Sequence, residues 1–155
     1  MNWPAGFEPE RACVHVVNAT RAAGSPDRLW PWLAYPCRWS SYYVNARRVR
    51  PVDGPWPELM VGSRFRWWTF GLLITSAVTE CEPNRRLAWT WSGSGAHGHH
   101  GFVLDGDEAG TVIHTEETVK GIAPCVVRPL LRPVMLYFHQ RWIDGLARLA
   151  PGPTP

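Results

Sequence analysis

The chain has 155 residues, of which 45% are hydrophobic and 19% charged. That is enough for one folded domain with a real core, and it excludes a disordered protein. The net charge of +3 comes almost entirely from arginine, with acidic residues in between. This pattern favours a solvated surface over a nucleic-acid-binding stripe, so we expect no nucleic-acid partner.

Two sorting signals are missing from the sequence. No run approaches the 18 apolar residues of a membrane span, so we expect none. The first residues lack a basic stretch followed by an apolar one, so we expect no signal peptide and a cytoplasmic protein.

Cysteine and tryptophan usage are both informative. The four cysteines, Cys13, Cys37, Cys81 and Cys125, are scattered without a CxxC pair, and we expect free thiols. Ten tryptophans are the strongest deviation from average composition. They suggest an aromatic cavity for an apolar or conjugated small molecule. The alternative is that they only fill the core.

The first third of the chain predicts one strand and two short helices. Residues 12–20 alternate and are rich in β-branched side chains, which predicts a strand. Ser25, Pro26 and Asp27 are typical of a helix start, with Ser25 as the capping residue. We expect Pro31 to interrupt this helix and Pro36 to end it. A second short helix is predicted over residues 38–44.

The remainder predicts strands followed by one helix. Strands are expected at residues 47–52, 63–70, 72–82, 86–91, 98–104 and 111–120, the last two joined by the turn at 105–110. The final helix is expected after about residue 130. Its apolar stripe recurs at steps of three and four and comprises Leu131, Met135, Phe138, Trp142, Leu146 and Leu149.

This order of elements indicates an α+β fold with an antiparallel sheet. A curved sheet with a long helix across its concave face would leave a cavity between them. We expect a single domain over residues 11–150. The flanking residues 1–10 and 151–155 are rich in Pro and Gly, and we expect them to be flexible tails.

Several local motifs add a family resemblance that extends over residues 12–149. They are DRLWPWLA at 27–34, VGSRFRW at 61–67, SAVTECEPNRRLAWTW at 76–91, HGFVLDGDEAGTVIHTEETVKG at 100–121 and RWIDGLARL at 141–149. In this order they resemble the SRPBCC superfamily, also called START-like or helix-grip, in its polyketide cyclase/dehydrase-like branch. The resemblance implies six to seven strands wrapped around a long C-terminal helix, and a cavity for a lipid-like, steroid-like or polyketide-like ligand.

Alternation along the strands assigns side chains to the cavity, because successive residues point to opposite faces. On the last strand we place Ile113, Thr115, Glu117 and Val119 inside; a shift of one residue would place Glu116 there instead. The predicted ligand-binding residues are Phe65, Trp67, Trp89, Trp91, Phe102, Thr115, Phe138 and Trp142. Packing alone is the alternative for each of them.

The predicted catalytic residues are His100 and Glu117. If the last hairpin is symmetric about its turn, His100 lies opposite Thr115 and is a diagonal neighbour of Glu117. A carboxylate and an imidazole in an apolar cavity could move a proton at neutral pH. The alternative is that Glu117 satisfies a buried Arg or backbone amide and that His100 is half exposed.

Other chemistries lack support in the sequence. The HGHH run at 97–100 invites a metal site, but alternation sends His97 and His99 away from His100, and we expect no metal. His139 is expected to be exposed. Residues 92–95 do not form a nucleophile elbow, and there is no P-loop or GxGxxG, so we expect no cofactor.

We therefore expect a protein that binds an aromatic or polyketide-like molecule and assists its cyclisation, dehydration or isomerisation in secondary metabolism. A non-catalytic carrier or sensor of a lipid-like ligand is the alternative, and a co-chaperone domain is a third. A homodimer is left open.

Overall fold

Seven antiparallel strands form one continuous sheet in the computed structural model, which describes residues 2–152. In chain order the strands are β1 (Val14–Ala22), β2 (Arg47–Asp53), β3 (Arg64–Thr69), β4 (Leu72–Glu82), β5 (Arg86–Gly93), β6 (Ala96–Asp107) and β7 (Gly110–Lys120). Their spatial order is β1-β7-β6-β5-β4-β3-β2. Strands β2 to β7 pair with their neighbours in the sequence, whereas β1 pairs with β7 at the edge of the sheet. The α+β fold class and the antiparallel sheet are confirmed.

Four α-helices accompany the sheet: α1 (Pro26–Ala34), α2 (Trp39–Tyr42), α3 (Ile122–Val126) and α4 (Arg128–Ala147). Short 3-10 turns at Pro9–Arg11 and Pro36–Arg38 complete the described elements. The long helix α4 packs on β1 and β7 across the concave face, as the helix-grip resemblance implied. The short helix α3 was not predicted.

The prediction that Pro31 interrupts the first helix is wrong. Helix α1 continues through Pro31 to Ala34. A proline removes one amide donor, and the carbonyl it would have used belongs to Asp27, which is exposed and free to bond to water. The Ser25 side chain makes no capping hydrogen bond; its backbone carbonyl accepts from the Arg28 amide instead.

Aromatic rings form the centre of the core. Trp39, Trp67, Trp89 and Trp142 are all nearly or fully buried. The Trp39 ring lies 5.4 Å from Trp67, 5.3 Å from Trp89 and 5.2 Å from Trp142, measured between ring centroids. Tyr43 stacks on Trp142 at 4.3 Å. Much of the tryptophan excess therefore fills the core, as the alternative interpretation held.

The register of the last hairpin differs from the prediction by two residues. His100 lies directly opposite Glu117, and Phe102 lies opposite Thr115. The strands continue to the pair Asp107 and Gly110, so the turn contains two residues rather than six. Because the shift is even, each side chain stays on its predicted face. Ile113, Thr115, Glu117 and Val119 are all buried.

The expectation of four free thiols is wrong for two of the cysteines. Cys13 and Cys125 form a disulfide, with their Cα atoms 4.9 Å apart. Cys37 and Cys81 are free. The sequence separation of 112 hides the proximity of the two cysteines, which arises because β1 begins at the sheet end where α3 follows β7.

Residues 2–11 lie along the outer face of the sheet. The Lys120 ammonium donates to the Gly6 carbonyl, and the Thr118 hydroxyl donates to the Phe7 carbonyl. Trp3 packs edge-on against His99. The sequence had suggested a flexible tail for residues 1–10; of the tail residues, Met1 and 153–155 lie outside the described part.

Gly145 marks the closest approach of α4 to the α2 segment. A Cβ built on Gly145 would lie 2.5 Å from the Tyr42 carbonyl oxygen. We expect Gly145→Ala to lower the free energy of unfolding by about 1–3 kcal/mol, because the backbone would have to shift. A Gly→Ala change in a helix with free space around it raises the free energy of unfolding by roughly 1 kcal/mol. A decrease for Gly145→Ala would therefore indicate the close approach of the Tyr42 backbone.

Chemical denaturation of Gly145→Ala measures this change, with the exposed Arg141→Ala on the same helix as control. A stabilised Gly145→Ala protein would contradict the close packing of α4 on Tyr42.

Candidate functional site

A cavity lies between the concave face of the sheet and α4. Its enclosed volume is about 80 Å³, and the depression leading into it brings the empty space to about 600 Å³ when open solvent is included. Most of its wall is apolar. The lining residues are Tyr43, Trp67, Thr69, Phe70, Leu72, Ile74, Trp89, Trp91, Ala96, His100, Glu117, Val119, Pro124, Leu131, Met135, His139 and Trp142.

Three titratable side chains meet in this wall. The Glu117 carboxylate oxygen Oε2 lies 2.9 Å from Nε2 of His139 and 3.5 Å from Nδ1 of His100. The two imidazole rings stack with centroids 4.7 Å apart and an interplanar angle of 16°. The exposed fractions are 3% for His100, 5% for Glu117 and 1% for His139. The half-exposed alternative for His100 is therefore wrong.

Each member of this cluster comes from a different element. Strands β6 and β7 place His100 and Glu117 side by side as a directly opposed pair. Helix α4 supplies His139, which stands four residues after Met135 and three before Trp142 on the buried side of the helix. The prediction that His139 is exposed is wrong. Its spacing from Met135 and Trp142 was the available signal.

Both ring nitrogens of His100 have polar neighbours. Nε2 lies 2.8 Å from the Thr115 hydroxyl, which is also 3.2 Å from the Gly101 carbonyl oxygen. Nδ1 faces the Glu117 carboxylate at 3.5 Å. A neutral imidazole carries its proton on one of these two nitrogens and accepts at the other.

Burial controls the charge of His100. Desolvation, followed by the nearby His139 and His99, holds the pKa of His100 well below its usual value. His100 is therefore neutral at pH 7. No arginine or lysine lies among the residues that line the cavity, so the alternative of a buried Arg satisfying Glu117 does not hold there.

The same three residues have a donor set that suits a divalent metal. Their ligand atoms all lie within 4.8 Å of one another. Two imidazoles and a carboxylate are ligands that zinc and iron accept. The HGHH run does not contribute as a unit, because His99 contacts Trp3 and Thr79 on the outer side of the sheet.

The predicted site residues separate into three groups. Trp67, Trp89, Trp91, Trp142, His100 and Glu117 line the cavity. Phe65, Phe102 and Thr115 are buried behind that wall and do not reach the cavity. Phe138 lines a neighbouring groove between α4 and the β2–β3 edge, with Arg47, Trp68 and Val134.

Phe70, together with Thr69, lies between the cavity and this groove, because both residues line the two of them. It sits in the β3–β4 turn with φ of 50°, and the next residue, Gly71, has φ of 74°. The Asn45 side chain accepts a hydrogen bond from the Phe70 amide at 2.8 Å. A bulky residue in this left-handed region is rare, and here it places the aromatic ring at the cavity entrance.

Comparison with known families gives a match over most of the chain. Residues 14–150 match the family model described as polyketide cyclase / dehydrase and lipid transport. The chain belongs to this family. No curated protein matches the chain in sequence.

Several solved structures have the same fold as this chain. A hypothetical protein, jhp0584 from Helicobacter pylori, is similar with a TM-score of 0.86 and 23% identity, covering 97% of this chain and 95% of that one. The ZhuI aromatase/cyclase from Streptomyces sp. R1128 has a TM-score of 0.75 and 16% identity, with coverages of 88% and 93%. At these identities the likeness shows the fold.

A third similar structure is DynU16, described as a putative protein in the dynemicin biosynthetic locus. Its TM-score is 0.65 at 20% identity, and the match covers 91% of this chain but 48% of that one. Among residues 2–152, no helix is long and apolar enough to cross a membrane.

Proposed function

We propose that this protein binds a small aromatic or polyketide-like molecule in its cavity and catalyses a cofactor-independent dehydration or cyclisation there. The observation that carries the proposal is the cluster of Glu117, His100 and His139 in an otherwise apolar wall. A pocket that only held an apolar ligand would gain nothing from three buried titratable groups, whose desolvation opposes folding.

Cavity size limits the ligand. An enclosed volume of about 80 Å³ is below the roughly 300–1,000 Å³ of typical ligand sites. One aromatic ring with a short chain can approach the cluster by entering beside Leu72, which is the exposed residue of the cavity lining. A polycyclic ligand exceeds the enclosed volume, so it would require the cavity wall to move outward.

The chemistry assigned to the cluster is a proton transfer in two directions. In the dehydration of a β-hydroxy ketone, the His100–Glu117 pair takes a proton from the carbon between the carbonyl and the alcohol. The C=C bond forms as the C–O bond of the alcohol breaks. The same proton then leaves with the hydroxyl as water. His139, whose Nε2 lies 2.9 Å from the Glu117 carboxylate, holds the carboxylate in place and relays the proton.

The benzaldehyde–acetone aldol is a suitable one-ring substrate, because its dehydration to benzalacetone is followed by ultraviolet absorbance. We expect saturable turnover by the wild type, and a loss of about 100-fold or more in kcat for Glu117→Gln and His100→Ala. Calorimetric titration with benzalacetone should give a similar Kd for these variants and the wild type.

His114→Ala is the matched control, since His114 is a partly exposed histidine on the outer side of β7. Near-normal turnover in both cluster variants would eliminate the acid–base role. Binding of benzalacetone without turnover by the wild type would instead favour the carrier or sensor alternative. Failure of both binding and turnover would contradict the proposed ligand class.

Three further assignments belong to this proposal. The family supports action on a hydrophobic small molecule. We propose a cytoplasmic protein without a nucleic-acid partner, which cell fractionation and a gel-shift assay test. We also propose a role in secondary metabolism, which is supported by the structural similarity to DynU16, a putative protein in the dynemicin biosynthetic locus.

A further inference from the structure

An unusual number of aliphatic side chains is exposed at the entrance to the cavity. Ile122 and Val126 of α3 have exposed fractions of 86% and 74%, and Leu130 of α4 has 75%. Val134, one turn further along α4, is 45% exposed, and Leu72 at the start of β4 is 40% exposed. We call these five residues the mouth collar. Isolated exposed aliphatics are ordinary, but a group on adjacent elements indicates a binding surface.

The mouth collar occupies one end of the sheet. Leu72 itself lines the cavity, and so do Pro124 and Leu131, which neighbour the collar residues of α3 and α4. The β3–β4 turn at Phe70–Gly71 and the link from β7 into α3 lie at this same end. A molecule that leaves the cavity through the depression therefore passes the mouth collar.

Charge is distributed unevenly between the two ends of the sheet. The segments that carry the mouth collar and its flanking arginines, residues 43–52, 68–75 and 121–143, contain no aspartate or glutamate. Of the acids on β7 near this end, Glu116 pairs with His15 and Glu117 is buried in the cavity wall. They contribute exposed Arg47, Arg48, Arg128 and Arg132, none of which forms an ion pair within residues 2–152. At the opposite end, the β6–β7 turn is acidic, with Asp105, Asp107 and Glu108, whereas Glu82 beside the β4–β5 turn pairs with Arg85.

We propose that the mouth collar docks on an anionic lipid bilayer, with its aliphatic side chains inserted at the headgroup boundary and the arginines on the phosphates. Ligand would then pass between the bilayer and the cavity without crossing water. Protruding aliphatics flanked by arginine, with no acid on the same segments, are what an anionic membrane surface attracts. The proposal is independent of catalysis, because a carrier would use the same surface.

A bilayer fits this surface better than a protein partner. Ile122, Val126 and Leu130 project from a convex helical corner, with most of their area free. Convex aliphatic projections insert into acyl chains, whereas a protein partner would need a complementary concave pocket. A second copy of this chain would bring Arg47, Arg48 and Arg128 of both molecules together, which is unfavourable.

Co-sedimentation with vesicles tests the proposal. We expect the full chain to bind vesicles of equal phosphatidylcholine and phosphatidylglycerol, and to bind pure phosphatidylcholine far more weakly. Arg47→Gln and Arg128→Gln should each weaken binding about fivefold. The double variant Ile122→Ser/Leu130→Ser should weaken it at least tenfold while leaving the cavity wall unchanged.

Met60→Ser/Val61→Ser is the matched control, because these exposed aliphatics precede β3 and lie at the opposite end of that strand from Phe70. The control should bind like the wild type. Three outcomes overturn the proposal: no binding to anionic vesicles, equal loss in the control and collar variants, or a wild-type dimer that the collar variant converts to a monomer in analytical ultracentrifugation.

Discussion

Trp142→Ala is expected to lower the free energy of unfolding by about 3–5 kcal/mol, the largest effect of any single substitution considered. The Trp142 side chain is 1% exposed. Its ring stacks on Tyr43 at 4.3 Å and lies 5.2 Å from Trp39 and 5.1 Å from Phe102. Truncation therefore leaves a large cavity at the junction of α4 with the sheet, and the surrounding rings cannot close it without losing their own contacts.

Equilibrium denaturation under non-reducing conditions measures this loss and keeps the Cys13–Cys125 disulfide intact. Tyr137→Ala is the matched control, because Tyr137 is an aromatic residue on the same helix that is 59% exposed. We expect its effect to stay below roughly 1 kcal/mol. A Trp142→Ala effect as small as that of Tyr137→Ala would mean that α4 does not seal the sheet.

Acidification is the second large effect. Burial lowers the pKa of His99 to about 4, whereas an unfolded histidine has a pKa near 6.5. Between about pH 6.5 and pH 4, His99 is protonated in the unfolded chain but neutral in the folded one. The free energy of unfolding therefore falls as the pH drops from 6.5 towards 4. Between pH 7 and 5, His99 alone should lower the free energy of unfolding by about 2 kcal/mol.

His100 acts in the same direction, because its pKa is also lowered by burial. The test compares the denaturation midpoints of the wild type and of His99→Gln at pH 7 and pH 5. The variant should lose less stability on acidification than the wild type does. His114→Gln, which removes a partly exposed histidine, should leave the dependence unchanged. An unchanged pH dependence in His99→Gln would show that His99 is not the buried neutral group described.

Strand faces were predictable from sequence because a strand buries alternate residues. Arg64 and Arg66 fixed the outer face of β3, which placed Phe65 and Trp67 inside, and both are buried. The positions that line the cavity were less predictable. Phe102 has the correct face but fills space behind the wall, since cavity shape depends on how α4 and the rings interlock.

His139 was missed for a different physical reason. A histidine is ordinarily assigned to solvent, and although the spacing of His139 from Met135 and Trp142 indicated the buried face, only a polar partner explains why the imidazole is buried there. That partner is Glu117, on a strand 22 residues earlier in the sequence, and their contact depends on where α4 crosses the sheet. The hairpin register likewise depended on turn length, which the turn-like sequence DGDEAG at 105–110 did not reveal.

The aromatic core has a spectroscopic consequence. Trp39 lies 5.2–5.4 Å from Trp67, Trp89 and Trp142, so excitation of one indole passes to the others before emission. The four rings will behave as one chromophore, with strong exciton bands in near-ultraviolet circular dichroism and depolarised emission. A quencher bound against Trp67 or Trp89 would reduce the fluorescence of all four rings together. The intensity lost would then count occupied molecules, and it would carry no information about which ring the quencher touches.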